Sequence, residues 1–178
     1  MKKALVFLPF FVVLFALSAV AADDTLVKFR GGIGVLPVAA GEGQAATADV
    51  VTRNIVRGVE PAGQIWVISA LKADVKVGGR IQADGKGLLL GGGDQIGFNG
   101  NASVFATLIC ETVAPFTLRN TEDMKGVPLA ANGDFRINDV LMPAPPPECD
   151  SPVLLIRVTG AGAWFAAGIP KLDRSDRD

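Results

Sequence analysis

The run ADVKVGGRIQAD, Ala73 to Asp84, alternates apolar and polar residues on both sides of two adjacent glycines. Successive side chains of an extended chain point to opposite faces, so this pattern makes strands with one buried face. A glycine pair between two such runs is the preferred chemistry of a tight hairpin. Ala73, Val75 and Val77 share one face, the chain turns at Gly78 and Gly79, and it returns through Ile81 and Ala83. No segment beyond the first 22 residues places its apolar residues at helical spacing, so the chain must fold from strands.

The period of two recurs along most of the sequence. TLVKFR (Thr25 to Arg30) alternates, VVTRNIVRGV (Val50 to Val59) reads as a strand that Gly58 bends, and GQIWVISAL centres a buried strand on Trp66, Val67 and Ile68. GLLLGGGD is a short apolar strand ending in a glycine turn. ASVFATLICE (Ala102 to Glu111) is apolar on both faces, which predicts a strand covered on both sides. PFTLRN, GDFRINDVL, PVLLIRV and WFAAGI follow, and PAPPP (Pro143 to Pro147) can only be an extended connection, because proline removes ladder donors and fixes the backbone. Nine or ten short strands with glycine and proline turns predict an all-β fold: a single antiparallel β-sandwich, or a closed barrel-like sandwich.

The N-terminus has Lys2 and Lys3, an apolar run from Ala4 to about Ala22, and small residues at its end. That order predicts a signal peptide over 1–22, cut before Ala22 or before Asp23, a β-sandwich domain over 23–170 and a disordered charged tail over 171–178. An uncleaved anchor is the competing reading of the first segment, and Pro9 argues against it. An outer-membrane barrel would need aromatic girdles, whereas the chain has two tryptophans and no tyrosine. The expected location is the periplasm or the cell exterior, with no stable membrane insertion after cleavage.

In an exported chain, two cysteines read as one bridge, so Cys110 and Cys149 are expected to form a disulfide. With 17 basic and 18 acidic residues, and Lys2 and Lys3 lost with the leader, the mature chain is slightly acidic and offers no basic surface to nucleic acid.

The chain contains no histidine. That removes Ser-His-Asp and Cys-His nucleophile pairs, histidine general bases and the usual zinc, copper and haem ligand sets, so no cofactor or metal is expected. SALK (Ser69 to Lys72) matches the S-x-x-K of serine β-lactamases, but the companion S-D-N and K-T-G elements are missing, and residues three apart on a strand face opposite ways. GEGQAA (Gly41 to Ala46) imitates a dinucleotide fingerprint without the helix that should follow. The acidic residues are scattered, so no carboxylate pair for glycoside hydrolysis can be named. Asn101 heads an NAS sequon, of use only in a eukaryotic host.

Candidate ligand contacts are few. Asp94 and Asn99 lie in GGGDQIGFNGN, a sequence of turn chemistry that fits no calcium motif. Trp164 follows the glycine-rich TGAGA, which could expose an edge of its ring, although Trp66 and Trp164 both sit in apolar runs that favour the core. The loops GEGQAA, GGGDQIGFNGN and TGAGA are the expected contact edge. The reading is an exported, non-catalytic protein with a binding or structural role and a protein or glycan partner; the alternative is a histidine-free hydrolase using carboxylates or Ser69 and Lys72.

The set IWVI, FATLIC, PECDSPVLLI and AWFAA, spanning roughly Gly58 to Gly168, resembles that of small, exported, largely bacterial proteins. The resemblance implies that the cysteine pair and the two tryptophans belong to one core, and it supplies no catalytic or binding residue.

Overall fold

A computed structural model of the chain describes residues 24–42, 50–122 and 124–171. The expected leader, most of GEGQAA and all but the first residue of the expected tail lie outside them. The described residues form thirteen strands and no helix: β1 (Thr25–Gly34), β2 (Val38–Glu42), β3 (Val50–Arg53), β4 (Trp66–Val67), β5 (Ala70–Lys76), β6 (Arg80–Lys86), β7 (Leu89–Leu90), β8 (Ser103–Ile109), β9 (Arg119–Thr121), β10 (Val127–Pro128), β11 (Phe135–Met142), β12 (Val153–Val158) and β13 (Trp164–Pro170). The count exceeds nine or ten because β4, β7 and β10 are two-residue pairings too short to alternate.

One sheet runs β10-β8-β12-β13-β1-β5-β6-β11-β9, and a further pairing of β8 with β9 closes eight of these strands into an antiparallel barrel. The ring closes where Thr107 pairs with Asn120 and Leu108 with Arg119, while Leu141 pairs with Thr121 across the other edge of β9. Closure removes the exposed strand edges that an open sheet would have to protect. β2 pairs with β3, and β4 with β7, outside the ring.

Alternation fills the interior. Leu71, Ala73 and Val75 of β5, Ile81 and Ala83 of β6, and Val104, Ala106 and Leu108 of β8 are all within 1% of complete burial, as are Leu154 and Ile156 of β12. Val77 leaves this pattern at 50% exposure, because it lies beyond the last ladder pair, in the turn closed by the Gly79 amide on the Lys76 carbonyl. Outward positions on the β1–β5–β6–β11 wall are polar: Arg30 pairs with Asp74 at 2.9 Å, and Arg136 with Asp84.

The opposite wall is covered, which explains why β8 is buried on both faces. The chain turns at Arg57 and Gly58, where Val56 and Val59 exchange backbone hydrogen bonds. From there Arg57 donates to the carbonyls of Ile109 (3.2 Å) and Ser151 (2.6 Å). The same segment clamps Trp164, whose indole N–H donates to Asn54 O at 3.0 Å and whose backbone bonds to Glu60 and Ala62.

One end of the barrel is tied by the Cys110–Cys149 disulfide. Beside it Arg119, 7% exposed, donates to Glu111 at 2.7 Å and 3.3 Å. That ion pair, aided by the Thr117 amide, holds the Glu111 carboxyl at about 2, well below its ordinary range.

The expected buried strand around Trp66 to Ile68 is divided. Trp66 and Val67 pair with Leu90 and Leu89, and a new strand begins at Ala70. The division follows from Gly34, against whose backbone the chain crosses so closely that a Cβ there would meet Trp66 O at 2.1 Å.

Candidate functional site

The barrel end away from the disulfide carries the loops. β8 begins there and β12 finishes there, so the 91–101 and 159–163 loops are neighbours in space, joined through the Thr159 amide on the Ser103 carbonyl at 3.0 Å. Two of the three segments expected to form a contact edge therefore share one end.

The loop from Gly91 to Asn101 is fixed by its own backbone. Leu90 N donates to Phe98 O and Gly97 N to Leu90 O, both at 2.8 Å, while Ile96 N reaches Gly93 O and Phe98 N reaches Gln95 O. These turns require left-handed backbone at Gly93, Gly97 and Gly100, and at Asn101 with φ of 50°. Asn99 anchors the base: its amide N–H groups donate to Leu129 O (3.1 Å) and Ala130 O (3.0 Å), and its side-chain oxygen accepts from Asn101 N. Gly100 rests on the edge of Trp66, itself stacked on Phe165 with centroids 3.9 Å apart. The loop is thus joined to the core while its tip stands in solvent.

At that tip Ile96 is 63% exposed and Phe98 65%. Ile65 and Val67, also exposed, touch the loop where it starts, at Gly91. An open cavity of 360 Å³ lies among Gln95, Phe98, Asn99, Gly100 and Asn101. The two large apolar side chains are held outward because the hydrogen bonds of the loop fix its backbone, and folding the tip onto the core would break them.

Of the residues named from sequence, Asp94 is exposed in this loop, and Asn99 lines the cavity with its amide nitrogen engaged by Leu129 O and Ala130 O and its side-chain oxygen by Asn101 N. Trp164, a candidate contact whose apolar run favoured the core, is 3% exposed with its N–H taken by Asn54 O. Ile96 and Phe98 were not among the named residues. The signal in the sequence is IGFNG, where the two large apolar residues sit among Gly97, Asn99 and Gly100 in a run too short and too rich in turn residues to make a strand.

Ser69 and Lys72 are both exposed, no hydrogen bond joins them, and Lys72 sits on the outer wall between Arg30 and Asp84. Among the described residues, no three His, Cys, Asp or Glu side chains gather in a way that could hold a metal ion. No family model, curated protein sequence or solved structure matches the chain.

Proposed function

We propose that the protein is an exported, non-catalytic binding protein, working in the periplasm or outside the cell, whose rigid barrel presents the Gly91–Asn101 loop to a partner. The observation that carries this reading is the exposure of Ile96 and Phe98 on a loop fixed by internal hydrogen bonds. A preformed loop loses little conformational freedom on binding, and aromatic anchors surrounded by polar groups are where interface energy concentrates. The partner that fits best is a protein surface with an apolar recess for the two side chains and polar groups opposite Asp94 and Gln95. A glycan would use the face of Phe98 and the neighbouring amides. Export rests on the N-terminal leader pattern, and the charged outer wall around Arg30, Asp74, Asp84 and Arg136 is the reverse of a lipid-facing band.

The test compares wild type with the Ile96→Ser/Phe98→Ser double variant, matched for melting temperature. Both are immobilised against solubilised cell-envelope proteins and titrated with an oligosaccharide panel. A single species held by wild type and lost by the variant is expected, and the arm in which it occurs gives the partner class. Equal retention by both proteins, or turnover of ester, β-lactam or glycan substrates by purified protein, would contradict the reading.

A further inference from the structure

A second site lies on the outer wall where β8, β9 and β12 meet. Arg157 projects outward from β12 opposite Phe105 of β8, and its guanidinium lies over the Phe105 ring at 5.2 Å. Its Nε donates to Gly162 O at 2.6 Å, and its Nη1 reaches Thr107 Oγ1 and Asn120 Oδ1, both at 3.3 Å. The Thr107 hydroxyl in turn donates to Asn120 Oδ1 at 2.7 Å. All these acceptors are neutral.

That distinguishes Arg157 from the other arginines withdrawn from solvent. Arg119 is paired with Glu111, and Arg57 feels the same carboxylate, which opposes the effect of its burial. For Arg157, burial lowers the guanidinium pKa, and no acidic side chain among the described residues offsets it. A half-buried cation without a counter-charge is held at a cost that an arriving anion would remove.

Donors remain for that anion. Arg157 Nη2 and the side-chain amide nitrogen of Asn120 have no acceptor among the described residues, and neither is sealed from solvent. Gly162, whose φ of 67° favours glycine, brings its backbone close beside the guanidinium: a Cβ there would stand 2.8 Å from Nη2 and push the side-chain end aside. Close by, Thr159 and Gly160 line an open depression of 610 Å³ with Met124 and Lys125. We propose that Arg157 and Asn120 form a binding site for a carboxylate, borne by a small acid or by an acidic sugar, on the outer wall beside the 159–163 turn. A guanidinium already oriented by Gly162, Thr107 and Asn120 offers its remaining N–H groups to a planar carboxylate with little further ordering. This site is independent of the Gly91–Asn101 loop.

The experiment follows the Arg157 Nε–H and Asn120 side-chain amide NMR signals of the ¹⁵N-labelled protein. Sodium acetate and sodium glucuronate are titrated at ionic strength matched with chloride, with methyl glucoside as the neutral control. Both signals are expected to shift saturably with acetate and glucuronate, but not with chloride or methyl glucoside. Equal constants for the two acids indicate recognition of the carboxylate alone, and tighter glucuronate binding indicates an acidic sugar. Asn120→Asp places a carboxylate against Arg157 without removing it, so it should keep the melting temperature and weaken acetate binding by about tenfold or more. Arg157→Lys, which keeps the charge and loses the fork, should weaken it as well. Shifts of the same size with chloride, absence of saturation, or unchanged acetate binding in Asn120→Asp would overturn the proposal.

Discussion

Glu111 follows Cys110 directly, and its carboxylate accepts from Arg119 on two oxygens and from the Thr117 amide. Because folding depresses its pKa to about 2, the pair stabilises the barrel fully above the ordinary carboxylate range. That contribution is lost as pH falls from about 4.5 through about 2. Glu111→Gln should cost on the order of 1–3 kcal/mol at pH 7, the range for hydrogen bonds to a charged group, with the partial exposure of Glu111 favouring the lower part. Urea denaturation at pH 7, 4 and 2.5 checks this: wild type should lose its advantage over the variant across that window. A constant difference would show that the charge is not responsible. At the loop end, Ile96→Ser and Phe98→Ser should each change stability by no more than about 0.5 kcal/mol, as exposed positions away from packing do, which a thermal melt decides.

At the scale of the element, the features readable from sequence were those set by neighbours in the chain. The β5–β6 hairpin follows from alternation around Gly78 and Gly79, and β8 was recognisable because Val104 to Ile109 is apolar on both faces. Features set by distant approach were not readable. Nothing near Gly34 announces that the chain crosses at Trp66, so GQIWVISAL read as one strand instead of two. The joining of β8 to β11 through the three residues of β9 depends on register across two loops, which leaves no periodic trace. The site was partly legible for the same reason: GGGDQIGFNGN is unmistakable as a loop, but whether its Ile96 and Phe98 point in or out depends on Asn99 bonding to residues thirty positions away. Likewise Arg157 looks like an ordinary outward strand residue until Asn120 and Gly162 are brought beside it. Two glycines measure this tertiary constraint. Gly34→Ala should destabilise by about 1–3 kcal/mol or more, as overpacking does, because its Cβ would meet backbone. Gly63→Ala, with nothing within 4 Å, should stay within about 0.5 kcal/mol of wild type in the same melt. Similar losses for the two would mean that β1 and β4 do not cross there.

For the whole molecule, the division of labour runs along the barrel axis. The Cys110–Cys149 bridge, Arg57 and the Glu111–Arg119 pair secure one end, and loops attached to the core through Trp66, Asn99 and Gly162 occupy the other. The bridge closes a span of 39 residues that contains β9, β10 and β11. Replacing both cysteines with serine should therefore lower stability by about 3–4 kcal/mol in the loop-entropy model. Denaturant titration of that variant checks the figure, and an unchanged midpoint would mean the barrel does not depend on the bridge. NMR of the folded protein with a soluble paramagnetic agent shows whether a closed barrel holds Ile96 and Phe98 out in solvent. Cross-strand contacts from Thr107 to Asn120 and from Leu141 to Thr121, which close the ring, are expected together with strong relaxation enhancement at the Ile96 methyls and the Phe98 ring. Missing closure contacts, or Ile96 and Phe98 protected from the agent as well as Leu108 and Ile156 are, would contradict that arrangement.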